Sequence, residues 1–207
     1  VNSKSFLILV FVAAYLFVNG CLPLKQDHRP KTYSYALEYK QDYFIQEKKP
    51  VILKIRDFNV APEFDVMNLV YQESKYKYHE YPYHRWRKNP GDLIASCLKR
   101  DLIDSQIYQA VIGTESQLLP THILEGSVDA IYEKDTADGW YAVLTLTITL
   151  EKMKLSNDNL NVLFQKTFAT KKRVDRKDPI HVVQAMSSAM NELSLKIQKK
   201  IYQVLSQ

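Results

Sequence analysis

Glycine is scarce in this chain, with five residues in 207. That scarcity excludes the glycine-rich loops that cradle phosphates and dinucleotides, and neither a Gly-x-Ser-x-Gly elbow nor a His-Glu-x-x-His helix is present. Cysteine is scarcer, with only Cys21 and Cys97, so a disulfide-stapled scaffold is excluded. Charge of one sign is also lacking. The 28 Lys and Arg face 23 Asp and Glu, and the formal charge of +5 is scattered. A nucleic-acid-binding protein would gather its basic residues on one face or helix, so no nucleic acid partner is expected. No internal repeat or heptad array occurs, and long hydrophobic runs are absent apart from one.

That run, residues 6–18, follows a single lysine, Lys4, and ends in Asn19, Gly20 and Cys21. It is shorter than the roughly 20 apolar residues a spanning helix needs. A basic tip, a short apolar stretch and a small residue before a cut describe a secretory signal over residues 1–20. Val18-Asn19-Gly20-Cys21 resembles the lipobox of bacterial lipoproteins, in which the cysteine carries the lipid. Covalent lipid on Cys21 is therefore the one modification expected, with no other cofactor. Each buried methylene contributes ~0.8 kcal/mol, and two or three acyl chains hold a protein where one binds only reversibly. Leu22 stands where an aspartate commonly marks inner-membrane retention in Gram-negative lipoproteins. An outer-membrane lipoprotein facing the periplasm is the expectation. Cys97 then has no partner and reads as a small buried residue.

Residues 21–32 are polar and contain two prolines, which suits a lipidated N-terminus and flexible tether. A single domain is expected over 33–207. Apolar or aromatic residues at 33, 35, 37 and 39 predict a strand. A second strand runs from Pro50, and its phase change between Ile55 and Phe58 predicts a bulge near Arg56-Asp57. Residues 69–71 and 76–86 read as a hairpin. Asn89 and Pro90 open a helix whose buried face is Leu93, Ile94, Cys97, Leu98 and Leu102. Strands follow at 107–112, at 122–134 with Leu124, Val128, Ala130 and Tyr132 inward, at 140–150 and at 162–171. Asp178 and Pro179 open the last helix, with Val182, Val183, Met186, Ala189, Met190, Leu193, Ile197, Ile201 and Val204 as its stripe. The fold class expected is α+β: a largely antiparallel sheet with two main helices packed on one face, in the order strands, helix, strands, helix.

Catalytic candidates are weak. His79, Glu80 and His84 are near in sequence, but positions 79 and 84 of a strand point to opposite faces, so no metal site is expected. Asp57, Glu63 and Asp65 flank a proline loop without a nucleophile and read as solvated charges. Lys171-Lys172-Arg173 reads first as a solvated rim and second as a site for anionic headgroups. The unusual feature is the aromatic run Tyr71, Tyr76, Tyr78, Tyr81, Tyr83 and Trp86, with Arg85 inside it. These residue types are enriched at interfaces and equally suit strands.

The lipobox at Cys21, the early strand from Tyr33 to Tyr39, Leu69-Val70-Tyr71, Tyr76, Tyr78, Arg85-Trp86, Pro90, Leu93, Leu98 and Leu102, the strands around Leu124 and Trp140 and the helix after Pro179 together resemble the ABC-type transport auxiliary lipoproteins, the PqiC-like family. The resemblance implies a non-enzymatic accessory component of an envelope lipid transport system. Such a component would be held at the outer membrane by its acyl chains. It would dock the periplasmic tunnel of an MCE-domain protein or contact ABC transporter components, and associate with further copies of itself. Tyr76, Tyr78, Tyr81, Arg85 and Trp86 are then the expected partner-binding residues, and replacing Arg85 and Trp86 is expected to weaken association without unfolding. The alternative is a stand-alone periplasm-facing carrier of lipid or small ligand, which would need an apolar cavity.

Overall fold

The computed structural model describes residues 30–207 apart from 43, 45 and 154–160. The signal segment, Cys21 and most of the tether lie outside the described residues. The unit Thr32–Gln207 contains β1 (Tyr33–Tyr35), β2 (Lys49–Ile55), β3 (Asn59–Val60), a 3-10 turn (Pro62–Phe64), β4 (Asn68–Ser74) and β5 (Lys77–Trp86). Helix α1 (Pro90–Asp104), β6 (Tyr108–Ile112), β7 (His122–Thr136), β8 (Gly139–Lys152), β9 (Asn161–Val174) and α2 (Pro179–Leu205) follow.

Both helices start as their sequences dictate. The Asn89 side chain accepts from the Gly91 N–H at 2.9 Å, and Asp178 accepts from Ile180 at 3.0 Å. A proline follows each cap, where its missing N–H costs nothing. Helix α2 packs on β8 and β9, α1 packs on β6 and β7, and the helices touch each other. Beneath them, Ala142, Leu144, Leu146, Ile148 and Leu150 of β8 are fully buried, while Tyr141, Val143, Thr145, Thr147 and Thr149 of the opposite face remain half-buried. Burying each such Leu or Ile contributes about 1.5–3 kcal/mol.

The nine strands form one mixed sheet rather than a largely antiparallel one. Among the described residues, antiparallel pairing is confined to β4–β5, β7–β8 and β8–β9. Strands β2, β3 and β4 each pair parallel with β7, as do β1 with β5 and β2 with β6. Alternation in a sequence reports which face is buried and carries no direction. Direction is set here by the crossovers, since α1 returns the chain so that β6 enters alongside β2 in the same sense. Strand β7 is the spine. One edge meets β8 along its whole length, and the other meets β2 at His122–Leu124, β3 at Ser127–Val128 and β4 at Glu133–Lys134.

The bulge expected near Arg56-Asp57 is present. Ile55 faces Leu124 and Asn59 faces Ser127, so one side carries an extra residue. The excess throws the Phe58 ring across Gly126. A Cβ there would lie 2.3 Å from the ring, and one on Gly91 would lie 2.3 Å from the Phe58 carbonyl oxygen. Two glycines thus let a strand and a helix close on one bulge.

Two strand expectations are corrected. The first strand stops at Tyr35. Residues 37–42 instead strap the helices: Glu38 N–H donates to Ser187 of α2 at 3.1 Å, and the Tyr39 hydroxyl donates to buried Asp101 of α1 at 2.6 Å. In β7, Val128 faces Leu146 but Ala130 faces Thr145, so Asp129 is an extra residue and the phase flips. Ile131 and Glu133 turn inward and Tyr132 turns out.

Gly126→Ala should lower stability by about 1–3 kcal/mol, because the buried Phe58 ring must move into packed surroundings. Chemical denaturation of the two proteins measures it.

Candidate functional site

The aromatic run folds into the β4–β5 hairpin, which β7 supports through Tyr71 and Gln72. At its tip Tyr76 is 85% exposed, with the Lys75 ammonium 5.2 Å from its ring. Glu73 bridges the turn through Lys77 at 2.7 Å and His79 at 3.1 Å. Tyr78 is partly exposed and sets its edge against Phe64 and Tyr132, which stack on each other at 5.4 Å. Gln72 donates to the Tyr78 hydroxyl at 2.8 Å.

The other face of the hairpin carries a ladder of rings. His79 stacks on Tyr71 at 5.2 Å, Tyr71 meets Tyr81 at 4.8 Å, and Tyr81 sets its edge to His84 at 6.0 Å. His84 then stacks against Tyr33 and Tyr35 of β1 and shares a 2.8 Å hydrogen bond with the Tyr35 hydroxyl. Such contacts are each worth ~0.5–1.5 kcal/mol beyond area burial. They fix the hairpin to β1 and stiffen it.

Between Glu80, which faces Val70, and Arg85, which faces Asn68, β5 carries three more residues than β4. Pro82 lies in this bulge, where its missing N–H breaks no ladder bond. The bulge sends the predicted contact residues to different places. Tyr76 is at the tip and Tyr78 on one face. Tyr81 is half-buried on the other face, its hydroxyl donating to Glu133 at 2.6 Å. Arg85 is exposed and donates to Ser34 of β1 at 3.2 Å. Trp86 is 2% exposed and belongs to the core. Its indole holds the hairpin's base and is not presented outward, so Trp86→Ala is a core truncation costing ~3–5 kcal/mol and not the fold-neutral change the sequence suggests. Exposed Tyr83 and Tyr33 extend the aromatic surface instead.

The remaining candidates disperse. His79 engages Glu73 and His84 engages Tyr35, while Glu80 accepts from Asn68 at 2.8 Å. Asp65 accepts from Asn89 at 2.6 Å, and Asp57 and Glu63 are exposed. Lys172 turns to Glu192 of α2 at 2.5 Å, leaving Lys171 and Arg173 exposed on the other face. Cys97 is buried, which pushes its thiol up to about 11.

Glu133 is the group that sequence reading misses, because the Asp129 bulge that turns it inward has no signature in the alternation. It is 1% exposed, and one carboxylate oxygen has no partner among the described residues. Burial raises its pKa above the ordinary carboxylate value, and the Tyr81 hydroxyl and Lys177 only partly oppose that. A carboxyl whose folded pKa is raised gives its full stability below the unfolded value and loses it as pH rises through the folded one. Ionised Glu133 therefore weakens the fold at neutral pH. Glu133→Gln keeps an acceptor for Tyr81 and should raise Tm at pH 7, with the gain shrinking as pH falls toward about 4. Thermal melts across that range check it.

The described clefts are open, and apart from one mainly apolar cleft of about 360 Å³ that includes Tyr132, Val143 and Ala169 they are lined by charged and polar side chains. One of about 440 Å³ beside α1 is lined by Arg56, Asp57, Lys88, Asp92, Lys99 and Glu115.

A crystal structure of a Xanthomonas campestris protein of the DUF330 family superposes with a TM-score of 0.71 at 15% identity, covering 80% of this chain and 92% of that one. A hypothetical protein of Chlamydia trachomatis gives 0.56 at 7% identity, over 76% of this chain and 98% of that one. An uncharacterised protein gives 0.64 at 14% identity, over 83% and 99%. These likenesses establish the fold. No curated protein matches by sequence. A family model described as the ABC-type transport auxiliary lipoprotein component matches residues 35–198.

Proposed function

The chain belongs to the ABC-type transport auxiliary lipoprotein family, and from that premise we propose that it is a non-catalytic outer-membrane lipoprotein that docks the periplasmic tunnel of an MCE-type lipid transport system. Membership makes it an envelope-associated auxiliary component of ABC-type transport. The finer reading is positional. Acyl chains on Cys21 fix the protein to the membrane, residues 22–32 set its reach, and the hairpin makes the contact.

The observation that carries the docking role is the hairpin tip. Tyr76 is 85% exposed on a base that buried Trp86 and the ring ladder hold rigid. An exposed aromatic on a pre-ordered support loses little entropy on binding, which is how anchor residues gain their weight. Arg85, exposed at the hairpin's base where it donates to Ser34, adds a second contact point whose charge selects orientation. A stand-alone carrier would need an enclosed apolar cavity, whereas each of the clefts described above opens to solvent.

Tyr76→Ser combined with Arg85→Ser should reduce co-purification with the MCE-domain partner by about tenfold while leaving Tm unchanged, since neither side chain is buried. Unchanged co-purification would contradict the hairpin's role. Cys21→Ala should abolish acyl mass and outer-membrane retention in fractionated cells. Retention without Cys21 would contradict the anchor.

A further inference from the structure

Strand β9 differs from the other sheet margins. The opposite ends of the sheet are closed by short strands, β1 of 3 residues and β6 of 5. Short edge strands are one of the ordinary ways proteins keep their margins from recruiting other chains. Strand β9 runs 14 residues, about 46 Å at ~3.3 Å per residue. Its inner edge pairs with β8 from Trp140↔Val174 to Lys152↔Asn161, and among the described residues no strand pairs with its outer edge. It contains no proline, and its ladder is regular from Val174 to Phe164.

Among the described residues the usual protections of such an edge are absent from Phe164 to Val174, apart from charge, and that charge has one sign. The sequence Asn-Val-Leu-Phe-Gln-Lys-Thr-Phe-Ala-Thr-Lys-Lys-Arg-Val holds four cations and no aspartate or glutamate. Glu192 of α2 neutralises Lys172, and its own carboxyl is held down to about 2 by Lys172 and Lys196. Lys166 is exposed over the Phe168 ring on one sheet face, while Lys171 and Arg173 remain exposed on the opposite, outer face, with Lys171 4.6 Å from the Tyr141 ring. On the same sheet face the exposed Lys134 of β7 faces Tyr141 and so adds to this field.

An unpaired row of backbone N–H and C=O groups offers main-chain hydrogen bonds to any extended chain. The cations decide which chain. A second copy pairing β9 to β9 in parallel register would set these cations against their own copies, which is destabilising across a strand pair, and an antiparallel copy would offer them no carboxylate, since β9 has none. We infer that the outer edge of β9 is a strand-addition site for an extended, acidic segment of a partner protein. Backbone pairing supplies the affinity, and Lys171 and Arg173 on the outer face supply the choice. The site lies across β8 from β7 and the hairpin beyond it, and it does not depend on which transport system the protein serves.

The test uses the full-length protein in detergent and two synthetic fluorescent peptides, one alternating valine with glutamate and the other valine with lysine. Anisotropy should show the acidic peptide binding about tenfold more tightly than the basic one. Hydrogen–deuterium exchange should show protection gained over residues 161–174. Lys171→Glu with Arg173→Glu lies on the exposed face and leaves the core untouched, and it should reverse the preference. Equal binding of both peptides, binding of neither, or protection gained elsewhere would overturn the inference. So would a β9 already protected in the protein alone through self-association, which would make the occupant a second copy.

Discussion

The pairing of β7 on both of its edges is the constraint on which the domain depends. Its β8 edge is one antiparallel ladder from His122 to Thr136, broken only at the extra residue Asp129, and through β8 it holds β9 and α2. Its other edge is shared among β2, β3 and β4, and these bring in β6 with α1 at one end and β5 with β1 at the other. A strand committed to four partners cannot slide by one residue without turning every inward side chain outward. The register of β7 thus fixes the core and the placement of the hairpin together.

Bulges then tune what that register displays. The extra residue before β3 seats Phe58 on Gly126 and lets α1 close on the same point through Gly91. The extra residue Asp129 is held by hydrogen bonds from Ser127 at 2.5 Å and Thr147 at 2.6 Å. It buries Glu133, and Glu133 in turn takes the Tyr81 hydroxyl. The bulge around Pro82 releases Arg85 to the surface while Trp86 returns to the core. Each device places a side chain that straight pleating would have put elsewhere, and two of the three act on the hairpin.

Much of this was legible from residue types and spacing. The helices announced themselves through Asn89-Pro90 and Asp178-Pro179, and their stripes match the buried residues. The β8 alternation gave its buried face, and the phase change between Ile55 and Phe58 gave its bulge. Direction was not legible, because pairings such as Leu53 with His122 join residues far apart in the chain. The Asp129 bulge was invisible because Ala130 and Tyr132 are as plausible inward as Ile131 and Glu133. For the same reason Trp86 read as a contact residue: an aromatic beside an arginine has one composition whether it anchors a core or a partner. The segment after Tyr35 alternates like a strand, yet it pays out its polar groups to Ser187 and Asp101 of the two helices.

The clamped β4–β5 hairpin displays Tyr76 from a base fixed in the core by Trp86, and the proposed docking role rests on that display. The direct measurement is site-specific photocrosslinking in intact envelopes, with the photoreactive residue at position 76 and, as control, at position 103 on the exposed side of α1. The account predicts an adduct with a component of the transport system from position 76 and none from position 103. Equal adducts from both positions, or none from position 76, would contradict it.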